Sequence, residues 1–141
     1  MAHADATITI DRPAKAVFEF LADGMNNPHW RPTVIDIQPV PGKPGTFKQG
    51  LKGPGGRIDG DYEITVSKPN ELLVFQVIAG PARPTGTYKL EAAGNATRLT
   101  FTLDFQPKGL AKLMDPMIAS TMRSEVAMLS NLKAYLESQP K

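Results

Sequence analysis

The feature that most constrains this chain is a period-two alternation that starts at Val34 and persists, broken by turns, to Phe105. Ile35 and Ile37 alternate with Asp36 and Gln38, and Phe47, Gln49 and Leu51 with Lys48 and Lys52. Ile58, Gly60, Tyr62, Ile64 and Val66 stand opposite Arg57, Asp59, Asp61, Glu63 and Thr65. Leu73, Phe75 and Val77 form the next inward set, followed by Gly86, Tyr88, Leu90 and Ala92, then Leu99, Phe101, Leu103 and Phe105. Successive side chains on a strand point to opposite faces, so the pattern predicts strands with one buried face. Gly53-Pro54-Gly55-Gly56, Pro69-Asn70 and Gly94-Asn95 carry turn chemistry, and Gly80-Pro81-Ala82-Arg83-Pro84 a bend or loop. The result is an antiparallel meander of about six strands whose apolar face needs a cover.

The two ends of the chain supply it. Ala6 to Asp11 alternates as a half-buried strand, and Asp11 is placed to cap a helix running from about Pro13. Val17, Phe18, Phe20 and Leu21 form that helix's apolar side, and Gly24 ends it. Asn26 to Pro32, holding the only tryptophan, predicts a loop or one short helical turn. At the other end, Pro107 and Gly109 separate the last strand from a predicted helix over Asp115 to Glu137, with Pro116 at its start or at a kink. Met117, Ile118, Met122, Met128, Leu129, Leu132, Tyr135 and Leu136 lie on one stripe at helical spacing. Such a helix is about 34 Å long, enough to cross a small domain. Glu125 projects near the middle of the apolar stripe, beside Thr121. The architecture expected is α+β, an antiparallel sheet with helices on one face, in a single domain over 1–141.

Composition narrows the function classes. With 41% hydrophobic and 21% charged residues the chain is globular in type. A net charge of +2 from scattered basic residues argues against nucleic acid as a partner. The absence of cysteine excludes thiol nucleophiles, disulfides and thiolate metal sites, and suits a reducing, cytoplasmic setting. No apolar run is long enough for a signal peptide or membrane span, and His3 is expected in a disordered tail. The Gly53–Arg57 stretch lacks the Lys-Ser/Thr and following helix of a phosphate loop. Asp59, Asp61 and Glu63 suggest a solvated strand face rather than a cation site, so no metal or other cofactor is expected.

The element order, with Ile-Asp-Arg-Pro-Ala-Lys-Ala-Val-Phe-Glu-Phe-Leu-Ala-Asp at 10–23 and Pro28-His29-Trp30-Arg31-Pro32 after it, resembles the START-like (SRPBCC, Bet v 1-like) superfamily. Within it the chain resembles small bacterial proteins grouped as polyketide cyclase/dehydrase and lipid-transport-like. Gly80-Pro81 and the closing Asn131 to Glu137 add to the likeness, which covers essentially the whole chain. The resemblance implies a helix-grip fold. In it, a curved seven-stranded antiparallel sheet wraps around a long C-terminal helix, with one or two short helices after strand 1. It also implies a cavity between sheet and helix that binds lipids, sterols, polyketides or hormones, a minority of members doing cyclisation, dehydration or hydrolysis there. Fold alone does not choose among these.

Inward phases put few polar groups on that cavity: Gln49, Tyr62, Tyr88, Thr121 and Glu125. With Trp30, Phe47, Phe75, Phe101, Met117 and Met122 they form the candidate ligand-binding set, an apolar pocket with a few polar groups. Each is equally readable as core, and Trp30 as the anchor of its segment. Glu125 must be protonated, paired with an arginine such as Arg31 or Arg83, or facing a wet cavity. Glu125, His29, Tyr62 and Tyr88 are the candidate acid–base groups, although no nucleophile–base–orienter set is visible. The expected function is binding of a small hydrophobic ligand (lipid, polyketide or aromatic metabolite), the alternative a polyketide cyclase/dehydratase-type enzyme. The assembly expected is a monomer or homodimer.

Overall fold

A computed structural model describes residues 2–53, 55–80, 82–105 and 115–140, with backbone alone at 2 and 115–118. Strand β1 (Ala2–Ile10) leads into helix α1 (Ala14–Ala22) and a short 3-10 helix (Gly24–His29). Seven strands follow: β2 (Val34–Pro39), β3 (Thr46–Gly53), β4 (Gly56–Asp59), β5 (Tyr62–Lys68), β6 (Leu72–Val77), β7 (Thr85–Ala93) and β8 (Ala96–Phe105). Helices α2 (Asp115–Ala127) and α3 (Leu129–Ser138) close the described chain. The strands pair antiparallel in the order β1–β8–β7–β6–β5–β3–β2, with β4 pairing β3 beside that path. This is a curled sheet around a C-terminal helical element, the helix-grip arrangement.

The inward phases hold along most of the sheet: Phe47, Gln49, Tyr62, Leu73, Phe75, Gly86, Tyr88, Leu90, Leu99, Phe101 and Leu103 are all buried. Aromatic rings form a continuous row across five strands. Phe47 stacks on Tyr62 at 5.4 Å, Tyr62 meets Phe75 at 5.2 Å, Phe75 meets Tyr88 at 5.8 Å, and Tyr88 stacks on Phe101 at 4.5 Å. Gly86 pairs with Phe75 across β6–β7, and a Cβ there would sit 2.0 Å from the Phe75 ring. The missing side chain therefore lets the Phe75 ring lie across β7, in reach of Tyr88. Cross-strand and diagonal aromatic contacts of this kind stabilise a sheet beyond simple burial.

Several expectations are corrected. β1 begins at Ala2, not Ala6, and His3 lies within it, held between Asp5 and Asp104 rather than in a disordered tail. The residue at the start of α1 is Pro13, in an extended conformation with no side-chain cap; the Asp11 N–H instead donates to Glu137 at 2.8 Å. Ile35 is exposed because β2 slips register between Val34 and Asp36, turning Val34 inward. The single strand expected over 58–66 is two, β4 and β5, broken at Gly60–Asp61. There the Asp61 carboxylate, not a ladder carbonyl, takes the Gln49 N–H at 3.0 Å, while Gly60 N–H keeps Gln49 O at 2.8 Å. This is a bulge-like interruption, a feature found next to functional sites.

The single C-terminal helix is also two, because Met128 N–H bonds Glu125 O at 3.1 Å, three residues back, and tightens the turn. The buried stripe is narrower than expected: Met122, Glu125, Val126, Leu129, Leu132 and Leu136 are buried, while Met128 and Tyr135 are only half-buried. Thr121 falls off this stripe and is exposed, not inward. Arg12 reaches the end of α3, donating to the carbonyls of Glu137 and Gln139 at 2.8 and 2.7 Å, and so ties the helix to the start of the chain. The stretch 106–114, including Pro107, Gly109 and Met114, lies outside the described residues, as do Pro54, Pro81 and the side chains of Met117 and Ile118.

Candidate functional site

The site is built by the proline-bounded segment after α1. Asp23 starts the 3-10 helix by accepting the Met25 N–H at 3.0 Å, and Trp30 and Arg31 N–H groups both close on Asn27 O. That turn aims Asn27, Trp30 and Arg31 inward beneath the sheet, where all three are buried. Asn131 of α3 donates to Trp30 O at 3.2 Å and locks the segment to the C-terminal helices. Gly24 is also required: a Cβ there would come 2.3 Å from the Tyr62 hydroxyl and 3.0 Å from the Phe47 ring.

Two connected polar groups result. In the first, Arg31 meets Glu125 through Nη2 at 3.1 Å and Nε at 3.3 Å, and Thr33 donates to the other Glu125 oxygen at 3.0 Å. Burial by itself would lower the Arg31 pKa, and the Glu125 carboxylate with the nearby Tyr88 and Tyr62 together outweigh it, so the guanidinium is held charged. In the second, Asn27 Nδ2 donates to Gln49 Oε1 and to the Tyr62 hydroxyl, each at 3.0 Å, while Gln49 Nε2 donates to Gly60 O at 3.3 Å. Burial pushes the Tyr62 hydroxyl up to about 12 and raises that of Tyr88 further, so both stay protonated at neutral pH.

Between these groups is a cavity with about 10 Å³ of space open to the centre of a water, room for about one molecule. Asn27, Arg31, Tyr62 and Tyr88 form its polar side. Leu21 of α1, with Ile64, Leu73 and Phe75 of the sheet, forms its apolar side, so among the described residues the space lies beneath α1 and not, as expected, against the C-terminal helix, whose buried stripe packs as core. Of the expected site residues, Tyr62, Phe75 and Tyr88 line it directly. Gln49, Phe47, Phe101 and Glu125 stand one layer behind, touching a lining residue each. Trp30 packs edge-on against Tyr88 at 6.4 Å and Phe101 at 6.3 Å, and its buried indole N–H has no partner among the described residues. Met122 is core.

His29 is not brought to the cavity. It is exposed and stacks on Tyr135 at 4.8 Å, on the outer side of the 3-10 helix. Arg83 is exposed as well, reaching Gly80 O at 3.4 Å. Sequence reasoning missed Arg31, expected only as a partner of Glu125, and Asn27, Leu21, Ile64 and Leu73 as lining residues. The last three carry only an apolar signal, and Asn27 sits among turn residues that are ordinarily solvated.

Comparison with known proteins gives the family. No curated protein matches the sequence. Solved structures do match in fold. A START superfamily protein from Mycobacterium smegmatis is 15% identical with a TM-score of 0.81, covering 98% of this chain and 99% of that one. Ara h 8.0201 is 17% identical with a TM-score of 0.76, covering 97% and 98%. The Zhui aromatase/cyclase from Streptomyces sp. R1128 is 17% identical with a TM-score of 0.70, covering 94% and 88%. At these identities the likeness establishes the fold. The family model described as "Polyketide cyclase / dehydrase and lipid transport" matches residues 1–137, and the chain belongs to that family.

Proposed function

We propose that this protein binds a small hydrophobic ligand, aromatic in part, in the cavity bounded by β5–β7, α1 and the 3-10 helix. The observation that carries the reading is a pair of unspent donors at an aromatic-walled cavity. Arg31 Nη1 and the Tyr88 hydroxyl make no hydrogen bond among the described residues, although both residues are buried and line the space. Both are open to the space rather than sealed in the core, so a water or the polar end of a ligand can satisfy them. The apolar wall fits a ligand whose other end is hydrocarbon or a ring. At about 10 Å³ the cavity holds about one water, so a ligand enters by displacing side chains such as Leu21 and Phe75.

Cyclisation or dehydration, the alternative within the family, needs a group that exchanges protons near neutral pH. Glu125 is engaged on both oxygens, Tyr62 and Tyr88 are held protonated by burial, and His29 lies outside the cavity. These placements favour binding over catalysis. Native mass spectrometry of protein purified from its source is expected to show an adduct that is lost on denaturation. Bare protein that also gives no change in Trp30 fluorescence with a panel of aromatic compounds would sink the reading.

A further inference from the structure

The polar side of the cavity combines two properties that restrict what it accepts. The first is charge. Arg31 and Glu125 are buried together, their side chains 9% and 12% exposed, and they cancel. No other charged side chain among the described residues lines the cavity. A carboxylate arriving at Arg31 would leave a net negative charge in a desolvated site, or would have to break the pair and strand Glu125.

The second is hydrogen-bond sense. Gln49 Nε2 is committed to Gly60 O, so its Oε1 faces Asn27, and Asn27 must turn its NH2 toward it. The same NH2 reaches Tyr62, so the Tyr62 oxygen acts as an acceptor and its proton is left to point elsewhere. No acceptor among the described residues takes that proton. Arg31 Nη1 and the Tyr88 hydroxyl are likewise unspent. The bulge at Gly60–Asp61 thus reaches the cavity through Gln49 and Asn27: it fixes the sense of the Asn27 amide, so that unspent donors on Arg31, Tyr62 and Tyr88 outnumber the amide acceptor Asn27 Oδ1.

We propose that the ligand presents a neutral hydrogen-bond acceptor, a ketone, aldehyde or ester carbonyl on an apolar ring-bearing body, and that carboxylates such as fatty or aromatic acids are rejected. This rests on the ligand-binding reading above and narrows it. Acetophenone, benzoate and toluene share the phenyl ring and differ at the polar end, so they separate the two. Each is titrated at pH 7 into 15N-labelled protein while the Trp30 indole and Arg31 Nε–H signals are followed. Acetophenone is expected to bind at least about tenfold tighter than benzoate, and several-fold tighter than toluene. Glu125→Gln leaves Arg31 uncompensated and is expected to raise benzoate affinity about tenfold while acetophenone stays within about threefold.

Benzoate or toluene binding as tightly as acetophenone to the wild-type protein overturns the inference and leaves the ligand-binding reading standing. A folded Glu125→Gln protein with unchanged preference overturns it too. Shifts from none of the three compounds overturn both. The wild-type comparison decides without the variant, should Glu125→Gln fail to fold.

Discussion

Two arginines clasp this protein, and they teach opposite lessons about contact length. Arg57 makes the shorter contacts, 2.7 Å to Asp59 and 2.9 and 3.0 Å to Asp36, lying across Gly50 where any Cβ would collide with it. Arg31 makes longer ones, 3.1 and 3.3 Å to Glu125 alone. Distance would rank Arg57 as the stronger clasp. Yet the Arg57 side chain is 40% exposed with carboxylates about half exposed, whereas the Arg31 pair is almost wholly enclosed. Where water can replace a lost partner, breaking a pair costs little; where it cannot, the survivor is a bare charge in the core. Arg57 joins strand to strand at the surface. Arg31 joins the segment before β2 to α2, and its free edge faces the cavity.

The sharpest way to test this contrast is Arg31→Met. It strands Glu125 and is expected to destabilise the fold by about 3–5 kcal/mol in denaturant unfolding. The double variant Arg31→Met/Glu125→Leu is expected to return to wild-type stability or above, because well-packed apolar groups can replace a buried pair without loss. A single variant that unfolds no more easily than wild type would overturn the ranking by burial.

Next in size is an alkaline effect on the buried side. Burial raises the Tyr62 pKa from 10.0 to about 12, so the folded state favours the neutral phenol. Its contribution is fully present below 10 and is lost as pH rises toward about 12, because the unfolded chain ionises first. Unfolding midpoints should fall across that window, and Tyr62→Phe should flatten the fall. Equal slopes in the two proteins would show that the phenol is not enclosed.

Arg57→Gln is expected to do less than Arg31→Met, and its difference from wild type should shrink as salt is added, since the exposed pairs are screened. A deficit as large as that of Arg31→Met would break the comparison. The smallest effect is at His3, where hydrogen bonds to Asp104 and Asp5 raise the imidazole pKa above 6.5. The gain is complete below 6.5 and lost as pH rises through the folded value. A small decline in stability as pH rises above 6.5, absent in His3→Gln, is the expected signature at the exposed β1–β8 edge.

The sheet was legible in the sequence because a strand's two faces see different solvents, and Phe47, Tyr62, Phe75, Tyr88 and Phe101 each fall in the buried phase. The position of Glu125 on the sheet-facing stripe was legible for the same kind of reason. Errors arose where one hydrogen bond outweighed the period. Asp61 took a ladder N–H and split a strand, a register slip turned Ile35 out, and the i−3 bond at Met128 broke the long helix in two. His29 and Asn27 show the limit most clearly. Two residues apart in one short segment, one is exposed against Tyr135 and the other is buried between Gln49 and Tyr62. A tight helical turn, rather than either residue's chemistry, separates them.

By itself, then, the sequence determined the α+β plan, the family resemblance and the aromatic wall, all consequences of period and composition along the chain. Only the tertiary structure decided which arginine neutralises Glu125 and which amide orients Tyr62. Those outcomes depend on groups tens of residues apart meeting in a largely desolvated space. There, most buried polar atoms are matched by a partner that chain order does not name.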